Sequence, residues 1–483
     1  MYQQLHKHWL SNTRGDILSG ITVALALIPE AIAFSIIAGV NPMVGLYASF
    51  CIAVVIAFTG GRPGMISAAT GAMALLMVTL VREHGVEYLF AATILTGIIQ
   101  VILGWLKIGK IVTFIPHSVI TGFVNALAIL IFMAQLTHFE GQGWVMYGLV
   151  ALTLAIIYIL PRLTKAIPSA LVAIIVVSII VISMGINVNT VGTMGDLSNL
   201  PPVFHIPAVL WTWETLVIIF PYALSLSIVG ILESLLTATI VDEMTDTGSD
   251  KNREIKGQGI ANFVTGFFGG MAGCAMIGQS VINVKSGGRT RLSTLVAGVF
   301  LLFLIMVLGD VVKQIPMAAL VGVMFMVSIG TFDWQSITNM RRIPVADSVV
   351  MVVTVAIVVA THDLSKGVIA GVILSALIFA WRSAKIRSSR VIQSNGAARY
   401  TITGQLFFGT MMKFAELFDY SGDPDHIVLD FTHSHVWDHS AVTAIAKAIA
   451  KYKNNGKTVT IEGLNKESQH LIDKVGLHST GSH

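Results

Sequence analysis

The sequence has few charged residues. Aspartate, glutamate, lysine and arginine make up 12% of its 483 residues, whereas 54% are hydrophobic. Soluble globular proteins carry about 25% charged residues, so the composition excludes a soluble protein for most of the chain. The chain is therefore predicted to lie largely in a lipid bilayer. Its net charge of +4 is small, and no nucleic-acid partner is expected.

Cysteine is also scarce. Cys51 and Cys274 lie far apart, each inside an apolar stretch, so neither a disulfide framework nor a metal cluster is indicated. We expect two packed thiols. The sequence shows no nucleophile–base set and no phosphate-binding loop, which argues against an enzyme and against a resident cofactor.

Apolar runs interrupted by glycine, proline and charged residues fill positions 17–385. A helix needs about 20 apolar residues to cross the hydrocarbon, so about fourteen α-helical segments are predicted, two of them too short to cross alone. They begin near Ile17, Pro42, Ala68, Glu87, Val112, Trp144, Pro168, Trp213, Ile255, Cys274, Leu292, Met317, Asp347 and Lys366.

The distribution of basic residues supports this segment count. With an even number of segments and a cytoplasmic start, only Arg82, Lys313 and Lys366 fall outside, and every other lysine and arginine before Arg382 falls inside. This is the bias that the positive-inside rule requires. The sequence predicts a multi-pass protein of the cell inner membrane with both termini cytoplasmic.

The character of the sequence changes after Phe379, where strand-like and helix-like stretches alternate. Such alternation predicts a small α/β domain with a mainly parallel sheet. The predicted organisation is a cytoplasmic N-terminus (1–16), a membrane domain (17–385), a linker (386–398) and an α/β domain (399–483).

Two predicted segments are short and follow glycine-rich stretches. The third, ISAATGAMALLMVTL, follows GGRPG, and the tenth, CAMIGQSVINV, follows FFGGMAG. Each is third in a set of seven, a pattern typical of inverted-repeat transporters whose half-helices meet near the middle of the membrane. A half-helix N-terminus offers unpaired N–H groups and a positive dipole end, which favours an anion. The alternative is two ordinary helices.

Two glutamates are predicted at membrane depth, where carboxylates are rare and commonly functional. Glu233 has Thr237 one turn later on the same helical face, so the pair could bind Na⁺, or the carboxyl could carry a proton. Glu30 follows Pro29, which frees a backbone carbonyl of the kind that lines cavities. Phe34 lies one turn further on. The alternatives are structural glutamates and a lipid-facing phenylalanine.

Several stretches resemble the sulfate permease (SulP) family, the bacterial relatives of prestin and pendrin. They are ALIPEAIAF with NPMVGLYASF, GRPGMISAATGAMAL, IKGQGIANFVTGFFGG, INVKSGGRTRLS, RRIPVADSVVMVVT and GVIAGVILS. The tail resembles the STAS domain that follows the membrane part in this family. The likeness covers nearly the whole chain and rests on all of these stretches together.

The resemblance implies a core and a gate domain built as seven plus seven inverted repeats, a homodimer and elevator-like alternating access. It places an anion site between the N-termini of segments three and ten. The implied substrate-binding residues are Glu30, Phe34, Thr70, Gly71, Gly278, Gln279 and Ser280. Glu233 and Thr237 fall where similar cyanobacterial sodium–bicarbonate symporters have an acidic residue and a threonine for sodium, so they are the implied cation-coupling and metal-binding pair.

Two positions depart from the family pattern. Many members have arginine where this chain has Gln279, and the loss of that charge favours cation symport over plain exchange. Glu233 replaces the aspartate of the symporters, and its longer carboxylate suits a proton at least as well as sodium. Na⁺ or H⁺ is therefore the expected coupling ion.

The predicted function is secondary active symport of a small anion: bicarbonate, sulfate or a small dicarboxylate. The alternatives are an anion exchanger or channel of the same family, a nucleobase–cation symporter of the same general fold, and a membrane-anchored STAS signalling protein. By resemblance, Ser440 aligns with the serine phosphorylated in anti-sigma-factor antagonists, and a cytoplasmic protein partner is expected at this domain. The alternative reading of the Asp438-His439-Ser440 stretch is a helix N-cap.

Overall fold

The computed structural model describes residues 9–109, 115–164, 168–194 and 201–476. The chain divides into two units, Met1–Val372 and Ile373–His483. Of the predicted segment starts, Val112 lies outside the described residues. The N-terminal segment is described from residue 9 and the C-terminal domain to residue 476.

The described apolar sequence forms a succession of helices whose starts agree with the predicted ones to within a few residues. They are α1 (Thr13–Ala38), α2 (Pro42–Thr59), α3 (Gly71–His84), α4 (Val86–Trp105), α5 (His117–Leu136), α6 (Trp144–Leu163), α7 (Ser169–Ser183), α8 (Trp213–Thr245), α9 (Lys251–Gly266), α10 (Ile277–Lys285), α11 (Arg291–Val312), α12 (Met317–Thr331), α13 (Val345–Thr361) and α14 (Leu364–Ser383). Short helical turns occur at Thr137–Phe139, Val191–Met194 and Trp334–Asn339.

Helix length separates the spanning helices from the interrupted ones. Among the described residues, nine helical segments are long and apolar enough to cross a membrane, and α7 and α13 are shorter apolar helices. The third and tenth helices have only 14 and 9 residues. Neither can cross the hydrocarbon alone, because a crossing needs about 20 residues.

Local sequence explains where two of these helices begin. Asn41 accepts a hydrogen bond from the Met43 N–H at the start of α2, and Pro42 occupies the first helical position, where its missing N–H costs nothing. The Thr70 side chain accepts a hydrogen bond from the Met73 N–H at the start of α3. Side-chain capping therefore fixes both starts.

The helices of the first unit pack in two groups. The core group consists of α1–α4 and α8–α11, and the gate group consists of α5–α7, α12 and α13; α14 joins the gate group, since Gly371 packs against Val119 and Thr354. In the core group α4 and α9 approach closely at glycines. A Cβ added at Gly97 would lie 2.4 Å from the backbone nitrogen of Phe263, so this contact requires small residues, as is common between membrane helices.

Two short strands precede the two short helices. Strand β1 (Ser67–Ala69) pairs antiparallel with β2 (Gly273–Ala275), and Ala68 faces Cys274. A Cβ added at Gly273 would lie 2.1 Å from the carbonyl oxygen of Ala68, so only glycine permits this approach. The first residues of predicted segments three and ten are thus extended, and the pairing brings the starts of α3 and α10 together.

The second unit contains a four-stranded sheet with helices. Its strands are β3 (Arg387–Ile392), β4 (Ala398–Leu406), β5 (His426–Val436) and β6 (Thr458–Glu462), in that spatial order. The first pair is antiparallel, and the other two are parallel. Helices α15 (Met411–Ala415), α16 (His439–Asn454) and α17 (Lys466–Val475) and a turn at Phe408–Thr410 complete the domain.

The predicted linker 386–398 needs correction. Residues 387–392 form the edge strand β3, whose register pairs Arg387 with Thr403. This stretch has no alternating apolar pattern, because the residues of β3 are exposed or half-buried on both faces of the strand. The core of the domain lies on the other strands and on α15 and α16, with Tyr400, Phe414, Phe431 and Tyr452 fully buried.

Candidate functional site

A cavity of about 560 Å³ lies between the core group and the gate group. Helices α1, α3, α8 and α10 line it from one side, and α5 and α12 line it from the other. Seven of the predicted site residues line this cavity: Glu30, Phe34, Thr70, Gly71, Glu233, Gly278 and Gln279. The structure therefore brings together residues that are up to 249 positions apart in the sequence (279 − 30 = 249).

The two short helices present different N-termini to the cavity. Thr70 caps α3 with its own side chain, whereas α10 follows Met276, whose side chain gives no capping hydrogen bond. The first N–H groups of a helix have no intrahelical acceptor. No atom of the described residues lies within 4 Å of a Cβ added at Gly278, so space is open beside this turn. The start of α10 can therefore donate N–H groups to an anion.

Glu30 and Gln279 meet across the cavity wall. The Gln279 side chain lies beside the Glu30 carboxyl, and it is only 1% exposed. The Gln279 side-chain oxygen has no hydrogen-bond partner among the described residues. A buried polar atom without a partner is costly, so this oxygen is suited to a bound water or ligand group.

Glu233 is connected to Thr70 through a cysteine. The Cys274 thiol donates to Glu233 Oε2 at 2.9 Å, and the Thr70 hydroxyl lies 3.2 Å from Cys274 Sγ. The sequence predicted only a packed thiol at this position. Its role follows from the β1–β2 register, which sets Cys274 opposite Ala68, and no periodicity in the sequence reports that register.

Two predicted residues do not line the cavity. The Thr237 hydroxyl donates to the backbone carbonyl of Glu233 at 2.8 Å, the usual bond of a helical threonine to the preceding turn, and does not join the Glu233 carboxylate. The Ser280 hydroxyl lies against the backbone of Ile66, accepting from its N–H at 3.0 Å. Ser280 thus ties α10 to the segment before β1.

Phe34 and Gly71 of the core group meet Ile131 of the gate group at one end of the cavity. A Cβ added at Gly71 would lie 2.9 Å from Phe34 Cε1 and 3.0 Å from Ile131 Cδ1. The missing side chain of Gly71 allows the phenylalanine of α1 and the isoleucine of α5 to converge over the start of α3. These three residues form the apolar end of the cavity.

The predicted regulatory serine lies in the second unit. Asp438 caps α16, with its Oδ1 accepting from the Ala441 N–H at 2.8 Å. The cap is therefore Asp438, and Ser440 is a half-buried residue of the first turn. Phosphorylation of Ser440 remains a prediction.

The charge of the cavity lining is negative. Two carboxylates, Glu30 and Glu233, line the cavity, and the described lining residues include no arginine, lysine or histidine. The remaining lining is mostly apolar, with Phe123, Leu127, Leu236, Ile240, Met276 and Met326 among its residues. Interrupted helices around a central cavity, within a bundle of membrane-crossing helices, define a multi-pass membrane transporter.

Comparison with known families agrees with this class. Residues 13–145 and 138–354 match the sulfate permease family, and residues 389–481 match the STAS domain. The chain belongs to the sulfate permease family, whose members are anion transporters and not enzymes.

Individual relatives support the assignment along the whole chain. YbaR of Bacillus subtilis (strain 168), which carries a provisional sulfate-transporter name, is 60% identical over 471 residues, covering 98% of each chain. The bicarbonate transporter BicA of Picosynechococcus sp. is 27% identical over 529 residues, covering 98% of this chain and 93% of BicA.

Solved structures share the fold. The transmembrane domain of a cyanobacterial BicA superposes with a TM-score of 0.68 at 29% identity, covering 75% of this chain and 98% of that one. The murine solute carrier 26 family member A9 anion transporter in the inward-facing state gives a TM-score of 0.86 at 18% identity, covering 99% and 90%. The second likeness extends the shared fold over both units.

Proposed function

We propose that this protein is a secondary active symporter that carries a small inorganic oxyanion together with a cation, by elevator-like movement of the core group against the gate group. The observation that carries the proposal is the central cavity. The start of α10 supplies hydrogen-bond donors, and two glutamates supply the cation-responsive groups.

Electrostatics explains why a cation must accompany the anion. An anion that enters this cavity approaches Glu30 and Glu233, and no basic side chain among the described lining residues compensates their charge. Repulsion between like charges is strong in a poorly solvated site. A cation that neutralises one glutamate therefore favours anion binding, which is the basis of symport.

A proton fits the arrangement around Glu233 better than sodium. Hard cations are bound by several oxygen ligands, but the Glu233 carboxylate contacts a thiol, and the Thr237 hydroxyl is engaged with backbone. No group of three or more histidine, cysteine, aspartate or glutamate side chains with metal-binding geometry occurs in the described chain. Sodium coupling is the alternative that the experiment decides.

Sulfate is the first candidate substrate, because the relative with 60% identity carries a sulfate-transporter name. Bicarbonate is the second candidate, since BicA relatives match over nearly the whole chain. Both are small oxyanions that accept hydrogen bonds, as the start of α10 requires. Small dicarboxylates are the third candidate substrate class and are included in the uptake experiment.

Assembly and placement complete the proposal. The exposed apolar surface of the helices suits lipid, and the basic-residue bias supports a proposed arrangement with both termini on the cytoplasmic side of the cell inner membrane. We propose a homodimer, with the STAS domain serving assembly or regulation through a cytoplasmic partner.

The test is uptake into proteoliposomes that contain the purified full-length protein. Labelled sulfate, bicarbonate and fumarate are offered separately, and a proton gradient and a sodium gradient are imposed in separate experiments. We expect concentrative sulfate or bicarbonate uptake that follows the proton gradient. Uptake that follows the sodium gradient would establish sodium coupling, and uptake that responds to neither gradient would contradict symport.

A further inference from the structure

A second cavity, of about 760 Å³, lies near the C-terminal end of α3, whereas the central cavity lies at its start. We call it the outer cavity. Along three helices, lining residues of the two cavities follow each other within one turn, a rise of about 5 Å. The successive pairs are Phe34 and Ile37 in α1, Gly71 and Leu75 in α3, and Ile131 and Ala134 in α5.

The barrier between the two cavities is therefore one layer of side chains. Phe34 and Ile131 converge over Gly71 at this level. Because the three residues belong to helices of both groups, relative movement of the groups would open this layer. The outer cavity is thus the next compartment on a path through the molecule.

Basic side chains from three separate elements line the outer cavity. Arg82 comes from the end of α3, His138 from the turn after α5, and His362 and Lys366 from the junction of α13 and α14. The positive-inside rule leaves three cations on the outer side, Arg82, Lys366 and Lys313. Two of these three line one cavity, a concentration that the charge bias does not explain.

The acidic groups nearby leave these cations available. Arg82 lies 3.9 Å from exposed Glu83, a weak surface pair. Lys366 Nζ lies 3.4 Å from Oδ2 of Asp363, which is the acidic residue among the described lining of the outer cavity. The Lys366 side chain is 65% exposed, so this ion pair is also weak.

The two cations share one lining. Arg82, Lys366 and the Tyr222 side chain all line the outer cavity. Thr79, Thr137 and Ser225 add hydroxyl groups to the wall. Basic groups with hydroxyl donors are the chemistry that binds a small oxyanion, and a cleft of one charge sign concentrates ions of the other sign.

We propose that the outer cavity is a second anion site, which captures the oxyanion from the outside before it passes to the central cavity. This inference rests on the proposed function, since it concerns the entry of the same substrate. It assigns attraction to the outer site and selection to the central site, where the wall, as far as the structure describes it, has no basic side chain.

The test compares full-length variants in intact cells, which expose only the outer face. Arg82→Gln combined with Lys366→Gln removes both cations. Lys313→Gln is the matched control, because it removes an outer charge that pairs with Asp310 and does not line the cavity. Arg82→Lys combined with Lys366→Arg keeps both charges. Initial rates of labelled sulfate and bicarbonate uptake are measured against concentration at low and high ionic strength.

We expect the double glutamine variant to raise KM at least about threefold at low ionic strength with little change in maximal rate, and the difference to shrink as salt screens the charges. The control and the charge-preserving variant should behave like the parent. An unchanged KM, or a lower maximal rate alone, overturns the outer site.

Binding separates this proposal from the proposed function. Sulfate binding to the parent and to the double glutamine variant is measured in lipid nanodiscs. If the parent transports neither anion, the proposed function fails, and the outer site is judged by binding alone. Weaker binding by the variant then supports the site, and equal binding overturns it.

Discussion

Buried carboxylates have different partners in the C-terminal domain and in the central cavity. Asp423 in the domain accepts from Arg390 Nε at 2.7 Å and from the hydroxyls of Tyr400 and Tyr452 at 2.8 and 2.6 Å. Glu233 at the cavity accepts a single side-chain hydrogen bond, from Cys274, among the described residues. The Asp423 carboxylate thus has a guanidinium and two hydroxyl donors, whereas the Glu233 carboxylate has one thiol donor.

The membrane unit also contains a buried carboxylate whose charge is stabilised by several hydrogen bonds. Asp16 at the start of α1 accepts from the N–H groups of Arg289 and Thr290 and from the Thr290 hydroxyl. The incomplete shell of Glu233 is therefore a feature of the cavity and not of the membrane environment. A carboxylate that lacks fixed partners can exchange a bound cation, whereas one that is saturated serves stability.

The largest expected effect is a loss of stability when Asp423, the carboxylate with a full set of hydrogen-bond partners, is removed. Asp423→Ala leaves a guanidinium and two buried hydroxyls without their acceptor, so the C-terminal domain should lose about 3–5 kcal/mol of unfolding free energy. Denaturant unfolding of the isolated domain measures the loss. Asp473→Asn is the control, because that exposed side chain contacts only Gln469 among the described residues, and it should change stability by less than about 0.5 kcal/mol. Equal effects would contradict the difference in compensation.

Removing the charge at the cavity should affect coupling more than folding. Glu233→Gln should abolish accumulation of the anion against its gradient while the protein remains folded, because the amide cannot take up a cation. Gradient-driven uptake in proteoliposomes measures this. Glu243→Gln, at an exposed position on the same helix α8, should behave like the parent. A Glu233 variant that still concentrates substrate with unchanged gradient dependence would disprove the assignment.

Adding a positive charge to the cavity should strengthen anion binding, and this effect should be smaller than the loss of coupling in Glu233→Gln. Gln279→Arg should tighten anion binding by roughly fivefold, about 1 kcal/mol, because a cation would then face the anion. Cation dependence should weaken, since the new charge repels a cation at Glu233. The readout is the anion KM with and without the driving gradient. Gln279→Met, which removes the amide without adding charge, should not tighten binding, and if it does, charge is not the cause.

The smallest expected effect is a shift in the pH at which acid unfolds the C-terminal domain, and it depends on Asp430. Burial raises the pKa of Asp430, but hydrogen bonds from Thr432 and Arg399 outweigh it and lower the pKa from 3.8 to about 2. The contribution of Asp430 to stability is present above its unfolded pKa and is lost as the pH falls toward 2.

Arg399→Gln should therefore move acid unfolding of the isolated domain to higher pH, because part of the pKa depression disappears. Circular dichroism during acid titration follows the transition. Arg387→Gln, an exposed position on β3, is the control and should leave the midpoint unchanged. A midpoint that shifts equally in both variants would show that net charge, and not the Asp430 contact, controls acid stability.

Much of the site could be predicted from the sequence, because the relevant signals are local or familial. Short segments after glycine-rich stretches predicted the interrupted helices, and the family motifs pointed to Glu30, Thr70 and Gln279. What could not be predicted is which atoms face the cavity. Thr237 shares a helical face with Glu233, yet its hydroxyl bonds to backbone, since a helical threonine has an acceptor in its own preceding turn.

The sequence alone determined the membrane class, the starts of the helices and the presence of an α/β tail, since hydrophobicity, proline, glycine and charge act over short distances along the chain. Tertiary structure alone decided that Cys274 contacts Glu233, that Phe34 and Ile131 meet over Gly71, and that Arg82 and Lys366 line one cavity. Each of these contacts joins residues far apart in sequence. Such contacts depend on strand register and helix packing, which no local pattern encodes.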